Sequence, residues 1–413
     1  MAATLDGAAG GKKRKRAAPG LADLHDDMLE RVLARLPPAS YFRLRGVSRR
    51  WRAAAESRTF RAACARITAR DPWFLMLEDP DHQDQDQDER RPRPAAVFDS
   101  AERAWAPWRG APGPLQPVAA AGGLVLYRDP GTGGLTVVSP LTGASRALPP
   151  PPARAAGVLQ AVAMYGSPYR VVLILGELPD LSTVVYDSST NAWGDEAALS
   201  RKPAEDASSR EERVAEDGDD TVYFLSKSGD VVATTMQRSA SRQYSSAVAC
   251  RDGDALIYFL SRSGTVVACD VARRAFAELP RILPAYHEYS IDVVACGGGA
   301  YAVVLSEFLD AASLRVWEFA GGAWRQVAAM PPSMSHAFRG AKADVNCVGH
   351  GARVMVCVSS SSAGGASGCF MCDVRTNRWE ELPRRAGVDV ADEDAVTSFV
   401  AALSFEPRME AAV

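Results

Sequence analysis

The chain has 413 residues, of which 47% are hydrophobic and 23% charged, the balance of a soluble globular protein with room for one small and one large module or for two to three ordinary domains. A net charge of −3 is too small for a chain-wide nucleic-acid or polyanion surface. No apolar run follows the N-terminal charges or reaches spanning length, which argues against a secretory signal and against a membrane segment. The eight cysteines (64, 250, 269, 296, 347, 357, 369 and 372) are scattered, mostly in apolar runs, as buried thiols of a reducing intracellular compartment are.

Residues 1–20 are rich in glycine and alanine and carry Lys12, Lys13, Arg14, Lys15 and Arg16 in succession. Such a tail cannot bury a core, so disorder is expected, and five cations on a flexible arm have the form of a nuclear import signal. Nucleus and cytoplasm are therefore the expected locations.

Helical spacing begins at residue 21 and runs to 67. Asp26 and Asp27 suit the positive end of a helix dipole. Met28, Leu29, Val32, Leu33 and Leu36 recur as one apolar stripe, and Pro37-Pro38 stops it. A second helix is predicted through Tyr41, Phe42 and Leu44 with Ser40 as its cap, broken at Gly46. Ser48 is placed to cap a third helix carrying Trp51, and Ser57 a fourth carrying Phe60, Cys64 and Ile67. A unit of about 45 residues buries little of its apolar surface alone, so a surplus stripe requires a partner.

This segment resembles an F-box. The positions that match are Leu24, Asp26, Leu29, Val32, Leu33, Leu36, Pro37, Arg45, Val47, Arg49 and Trp51, while His25 and Ser48 depart from the family's proline and cysteine. The resemblance implies docking on the Skp-type linker of a cullin–RING ubiquitin ligase. Leu24, Leu29, Val32, Leu33, Leu36, Pro37, Leu44, Val47 and Trp51 would carry that contact through buried apolar surface.

Beyond Arg70 short β-branched and aromatic runs replace the helical pattern, separated by Gly, Pro, Asp and Ser, and an all-β domain is predicted over 71–406. TVYFLSKSGDVVA (221–233) and LIYFLSRSGTVVA (256–268) are identical at nine of thirteen positions, each reading as a hairpin turning at Lys/Arg-Ser-Gly. A second signature places an acidic residue after an apolar one and an aromatic six residues further on. It recurs at Asp99 and Trp105, Asp187 and Trp193, Asp270 and Phe276, Glu318 and Trp324, and Asp373 and Trp379. The carboxylate is expected to hold backbone N–H groups of a turn, and the aromatic to open the next strand and pack on a neighbouring sheet. Worn copies at Ser139 with Ser145 and Thr235 with Ser241 bring the count to seven.

Intervals of 35 to 55 residues suit four-stranded propeller blades. Seven blades are expected, with six as the alternative. The run 395–406 is expected to close the ring beside residues 73–77 and 95–99, leaving 407–413 as a tail.

The β-domain resembles the kelch-type propellers of plant F-box proteins, in the subgroup typified by Unusual Floral Organs and Hawaiian Skirt. Residues 71–76, the strand end at 138–142, and Gly122-Gly123 and Gly297-Gly298-Gly299 carry that likeness. It implies a non-catalytic substrate receptor of a Skp–cullin–F-box ubiquitin ligase. The linker sits on the helices and an unidentified target on the propeller's rim loops, without cofactor, metal, nucleic acid or membrane. A nuclear transcriptional co-regulator acting through the propeller is the alternative, and a kelch-type oxidase a more remote one. Residues 79–94 and 201–220 read as charged insertions, and Cys369 and Cys372 lack the second ligand pair a zinc knuckle needs.

Overall fold

A computed structural model describes residues 24–78, 95–108, 115–152, 158–202, 221–225, 231–235, 246–251, 254–261, 265–282, 289–308, 311–339, 343–360, 367–383 and 399–413. The basic stretch Lys12 to Arg16, the 79–94 insertion, most of 201–220, Ser241 and the central turn residues of both predicted hairpins lie outside them. The chain divides into two compact units, 1–68 and 69–413.

The first unit consists of four helices, α1 (Asp26–Arg35), α2 (Pro38–Arg45), α3 (Arg49–Glu56) and α4 (Arg58–Ala65). Among its described residues the second is all-β apart from a single helical turn at Pro332–Ser335 and a short 3-10 turn after it. Blade 1 takes β1 (Trp73–Glu78), β2 (Ala95–Asp99) and β3 (Ala104–Pro107) from the start of the domain. Blade 2 is β4 (Gln116–Ala121), β5 (Leu124–Arg128), β6 (Leu135–Val138) and β7 (Ser145–Ala147). Blade 3 is β8 (Leu159–Tyr165), β9 (Arg170–Glu177), β10 (Asp180–Asp187) and β11 (Ala192–Trp193), with β12 (Ala197–Ala198) also on β10.

After β13 (Ser200–Arg201), β14 (Thr221–Leu225) and β15 (Val231–Thr235) form a separate two-stranded sheet. Blade 4 is β16 (Ala247–Arg251), β17 (Asp254–Leu260), β18 (Val266–Asp270) and β19 (Ala275–Glu278). Blade 5 is β20 (Tyr289–Cys296), β21 (Gly299–Phe308), β22 (Ala311–Ala320) and β23 (Ala323–Ala329), and blade 6 is β24 (Ala343–His350), β25 (Arg353–Ser360), β26 (Gly368–Asp373) and β27 (Arg378–Glu381). The last strand, β28 (Phe399–Phe405), returns to blade 1 and pairs antiparallel with β1.

The propeller thus has six blades, not the expected seven. Blades 3 and 4 pack directly on one another. Ala161, Val172 and Ile174 share a core with Ile257, Phe259 and Val267, and the Ser246 hydroxyl donates to the Val162 carbonyl at 2.8 Å. β13 then pairs with β19, carrying the chain from one blade to the next. The 221–235 hairpin imitates the β17–β18 hairpin in sequence and pairing, but among the described residues it forms a two-stranded sheet and not a four-stranded blade. Apolar layers fill every junction around the ring, from Phe405 with Val125 and Tyr127 between blades 1 and 2 to Phe74 and Met76 against Met355 and Cys357 between blades 1 and 6.

The acidic–aromatic signature has a physical cause at each turn. Asp99 accepts from the backbone N–H of Ala101 at 2.9 Å, Asp187 from Ser189 at 2.9 Å, Asp270 from Arg273 at 3.0 Å, and Asp373 from Arg375 and Thr376 at 3.0 Å. Four residues after each aspartate the chain turns through positive φ, at Arg103, Asn191, Arg274 and Asn377. The aromatic then falls opposite the apolar residue before the aspartate, as in Phe98–Trp105 and Tyr186–Trp193. Blade 5 differs from the expectation: Gly321-Gly322 make its turn, Trp324 faces Phe319 rather than Trp317, and Glu318 accepts from the Tyr301 hydroxyl at 3.1 Å.

The tryptophans also tie blades together. Three indole N–H groups donate to the carbonyl of a proline that ends the preceding blade, Trp105 to Pro383 at 2.5 Å, Trp193 to Pro149 at 2.7 Å and Trp324 to Pro280 at 2.7 Å, whereas that of Trp379 donates to the Asn377 side chain at 3.2 Å.

Residues after β28 are not a loose tail. Ala411 and Val413 pack on the apolar layer between blades 2 and 3, and Arg408 pairs with Glu406 and Glu410. Gly123 (φ +83°) permits this passage, since a Cβ there would stand 2.7 Å from the Cβ of Arg408.

Candidate partner-docking helices

The helices of the first unit start and stop for local reasons. The Ser48 hydroxyl accepts from Trp51 N–H at 3.2 Å to cap α3, and Ser57 from Phe60 N–H at 2.9 Å to cap α4. Ser40 does not cap α2. That helix already begins at Pro38, whose missing donor costs nothing in a first turn.

α1 packs on α3 and α4, and Tyr41 of α2 stacks on Phe60 of α4 with ring centroids 5.4 Å apart. Burial pushes the Tyr41 phenol above its ordinary pKa. Glu30, on the buried side of α1, accepts from the hydroxyls of Ser57 (2.7 Å) and Thr59 (2.9 Å), joining the end of α3 to the start of α4. Arg50 of α3 pairs with Asp26 at 2.8 Å and donates to the Leu24 carbonyl.

The apolar stripe splits into two roles. Leu29 and Leu33, expected from sequence to carry the linker contact, are 0% and 2% exposed and belong to the buried apolar set with Ala34, Ala54, Phe60 and Cys64. Their face of α1 is consumed by α4. Leu24, Leu36, Pro37, Leu44 and Trp51 are half-buried, and Val32 and Val47 are 37% and 67% exposed. Met28 and Phe42, which were not among the docking residues named from sequence, are exposed as well. Among the described residues the exposed large apolar side chains are Met28, Val32, Phe42, Val47 and Val158. Four of these five fall in the small helical unit. Met28 and Val32 are four residues apart on α1, a spacing from which their shared face could have been read.

In the second unit, the inner strands β4, β8, β16, β20, β24 and β28 surround a central cavity of about 500 Å³. Gln116, Ser246, Asp292, His350, Ser404, Glu406 and Arg408 are among its polar lining, between alanines, valines and glycines. His350 is 3.6 Å from Glu406, whose carboxyl burial raises but the His350 hydrogen bond and Arg408 hold below its ordinary value. Among the described residues no group of three or more His, Cys, Asp or Glu is placed to hold a metal ion. Cys369 and Cys372 lie on opposite faces of β26, in the layers toward blade 1 and blade 5 respectively, as strand alternation requires.

The described residues thus form a small helical unit with exposed apolar side chains and a six-bladed β-propeller. Residues 21–62 match the F-box domain family. The chain is 40% identical over 406 residues to F-box only protein 13 of Arabidopsis thaliana, spanning 95% of this chain and 85% of that protein. F-box only protein 6 of the same plant is 30% identical over 181 residues, 40% of this chain and 35% of that one. Among solved structures, TolB from Acinetobacter baumannii shares 10% identity at a TM-score of 0.42, covering 86% of this chain and 73% of that one, a likeness too distant to bear on function. The chain belongs to the F-box protein family, as a plant-type member with a propeller behind its F-box.

Proposed function

We propose that this chain is the substrate-recognition subunit of a Skp–cullin–F-box ubiquitin ligase. Its helices hold the Skp-type linker and its propeller holds a protein to be ubiquitinated. The observation that carries this reading is the exposed set Met28, Val32, Phe42 and Val47 within the segment that matches an F-box. Burying such side chains against a partner is the usual source of affinity in an interface core. The subunit itself performs no bond chemistry. It raises the transfer rate by holding target lysines near the charged conjugating enzyme, converting an encounter into an intramolecular step.

Kelch-type blades and kinship with the Unusual Floral Organs subgroup belong to the same proposal. Support comes from the repeated acidic–aromatic turn and from the double-glycine turns at Gly122-Gly123 and Gly297-Gly298. Nuclear import through Lys12 to Arg16 is proposed on sequence alone.

The test is proximity labelling in plant cells, comparing the intact chain with Val32→Asp/Val47→Asp. Both residues are exposed, so this variant leaves the helical core intact, whereas a charge at Leu33 would report on folding. The proposal predicts that linker and cullin labelling disappears in the variant while propeller-bound proteins remain and lose ubiquitin. Equal linker labelling in both would contradict it.

A further inference from the structure

Five sulfur-bearing side chains crowd the layer between blade 6 and blade 1: Met76, Met355, Cys357, Cys369 and Met371. Within it Cys357 of β25 lies directly opposite Cys369 of β26, with the two sulfurs 3.8 Å apart. The Cys357 sulfur in turn lies 3.4 Å from the Met76 sulfur of β1. The register shows which kind of cross-strand pair this is. Val374 N–H donates to the Ala352 carbonyl in the same ladder, and hydrogen-bonded and non-hydrogen-bonded pairs alternate from there. Cys357 and Cys369 therefore form a non-hydrogen-bonded pair, the closer type. Pairs of this type have Cα atoms about 4.5 Å apart, inside the range a disulfide spans.

We propose that Cys357 and Cys369 are a modification site, a dithiol that a hydroperoxide converts to an intramolecular disulfide inside blade 6. The partly exposed Cys369 meets the oxidant first, whereas Cys357 is 1% exposed. The Cys369 thiolate attacks the peroxide oxygen, the O–O bond breaks, and hydrogen peroxide leaves as water after taking up a proton, with a sulfenic acid on Cys369. The Cys357 sulfur then attacks the sulfenic sulfur, the S–O bond breaks, and a second water departs. Two thiols and one hydrogen peroxide thus yield one disulfide and two waters. A thiol reductant such as glutathione returns the pair by exchange.

The remaining thiols are less suited. Cys269, Cys296 and Cys372 are buried, with burial pushing each thiol up to about 12, which suppresses the thiolate that reacts. Cys250 is exposed, and burial of its sulfur raises it too. Because the Cys357 sulfur touches Met76, closing the pair alters contacts across the junction between blade 6 and blade 1.

The experiment uses the reduced full-length chain, exposed to hydrogen peroxide, alkylated with iodoacetamide and mapped by peptide mass spectrometry. The expected result is a cross-linked peptide joining residues 357 and 369, two hydrogens lighter than the reduced pair and restored by dithiothreitol. Cys357→Ser should leave a Cys369 sulfenic acid that dimedone captures. Separate alkylation of both residues after peroxide, or Cys369 linked to Cys250 or to a second chain, would overturn the proposal. The wild-type map decides this by itself should a variant fail to fold.

Discussion

Phe405, the last residue of the last strand, lies opposite Trp73, the first residue of the first propeller strand, with their rings 6.1 Å apart. Blade 1 is thereby assembled from the two ends of the domain, and the ring closes through a sheet rather than through a loop. An open ring would leave β1 as an unpaired edge and strip the 1–2 junction of Phe405.

Removing residues 399–413 should therefore abolish soluble monomeric protein, read by size exclusion. The milder Phe405→Ala should fold but lose about 3–5 kcal/mol, the usual cost of emptying a buried aromatic site. A truncated chain with an unchanged melting temperature would refute closure by β28.

The indole latches between blades should be individually modest. Trp193→Phe keeps the ring against Tyr186 (centroids 5.4 Å apart) but removes the bond to the Pro149 carbonyl. A loss of about 1 kcal/mol is expected, plus the cost of any carbonyl left dry. Chemical denaturation of the two proteins measures it, and no change would mean that the latch is only geometric.

Acid should loosen the turns. The Ser189 hydroxyl and backbone N–H hold the Asp187 carboxyl below its ordinary value. At Asp270 and Asp373 burial raises the carboxyl, but hydrogen bonds from Arg273 and from Thr376 outweigh it and the net direction is down. A carboxyl lower in the folded state than in the unfolded chain contributes stability that is present above about pH 4 and lost as pH falls through the folded value. Melting temperature should drop below about pH 4, and replacing all three aspartates by asparagine should flatten that drop. An unchanged acid slope in the triple variant would exclude these carboxyls as its source.

These turns were legible in the sequence because everything that makes them is local: an acceptor, a residue of positive φ, and an aromatic within seven positions. Closure by the C-terminal strand was legible too, since a strand-like run without a neighbour has to find one. Blade number was not. The 221–235 hairpin carries the same local pattern as β17–β18, and what sets it apart is that among the described residues it forms a sheet of two strands. Which residues of the helices are exposed was not legible either. Leu29 and Val32 belong to one stripe, and which of them faces solvent depends on where Phe60 and Cys64 of α4 come to rest. The exposure of Met28 and Phe42 was not legible because a stripe read as a single face hides its margin.

The most direct test is a titration of the purified chain with a Skp-type linker, measured by isothermal calorimetry for wild type and for Val32→Asp/Val47→Asp. The account predicts saturable binding by the wild type and at least a hundredfold weaker binding by the variant, about 2.7 kcal/mol, with unchanged helical content. Binding of equal strength by both proteins, or none by the wild type, would contradict it.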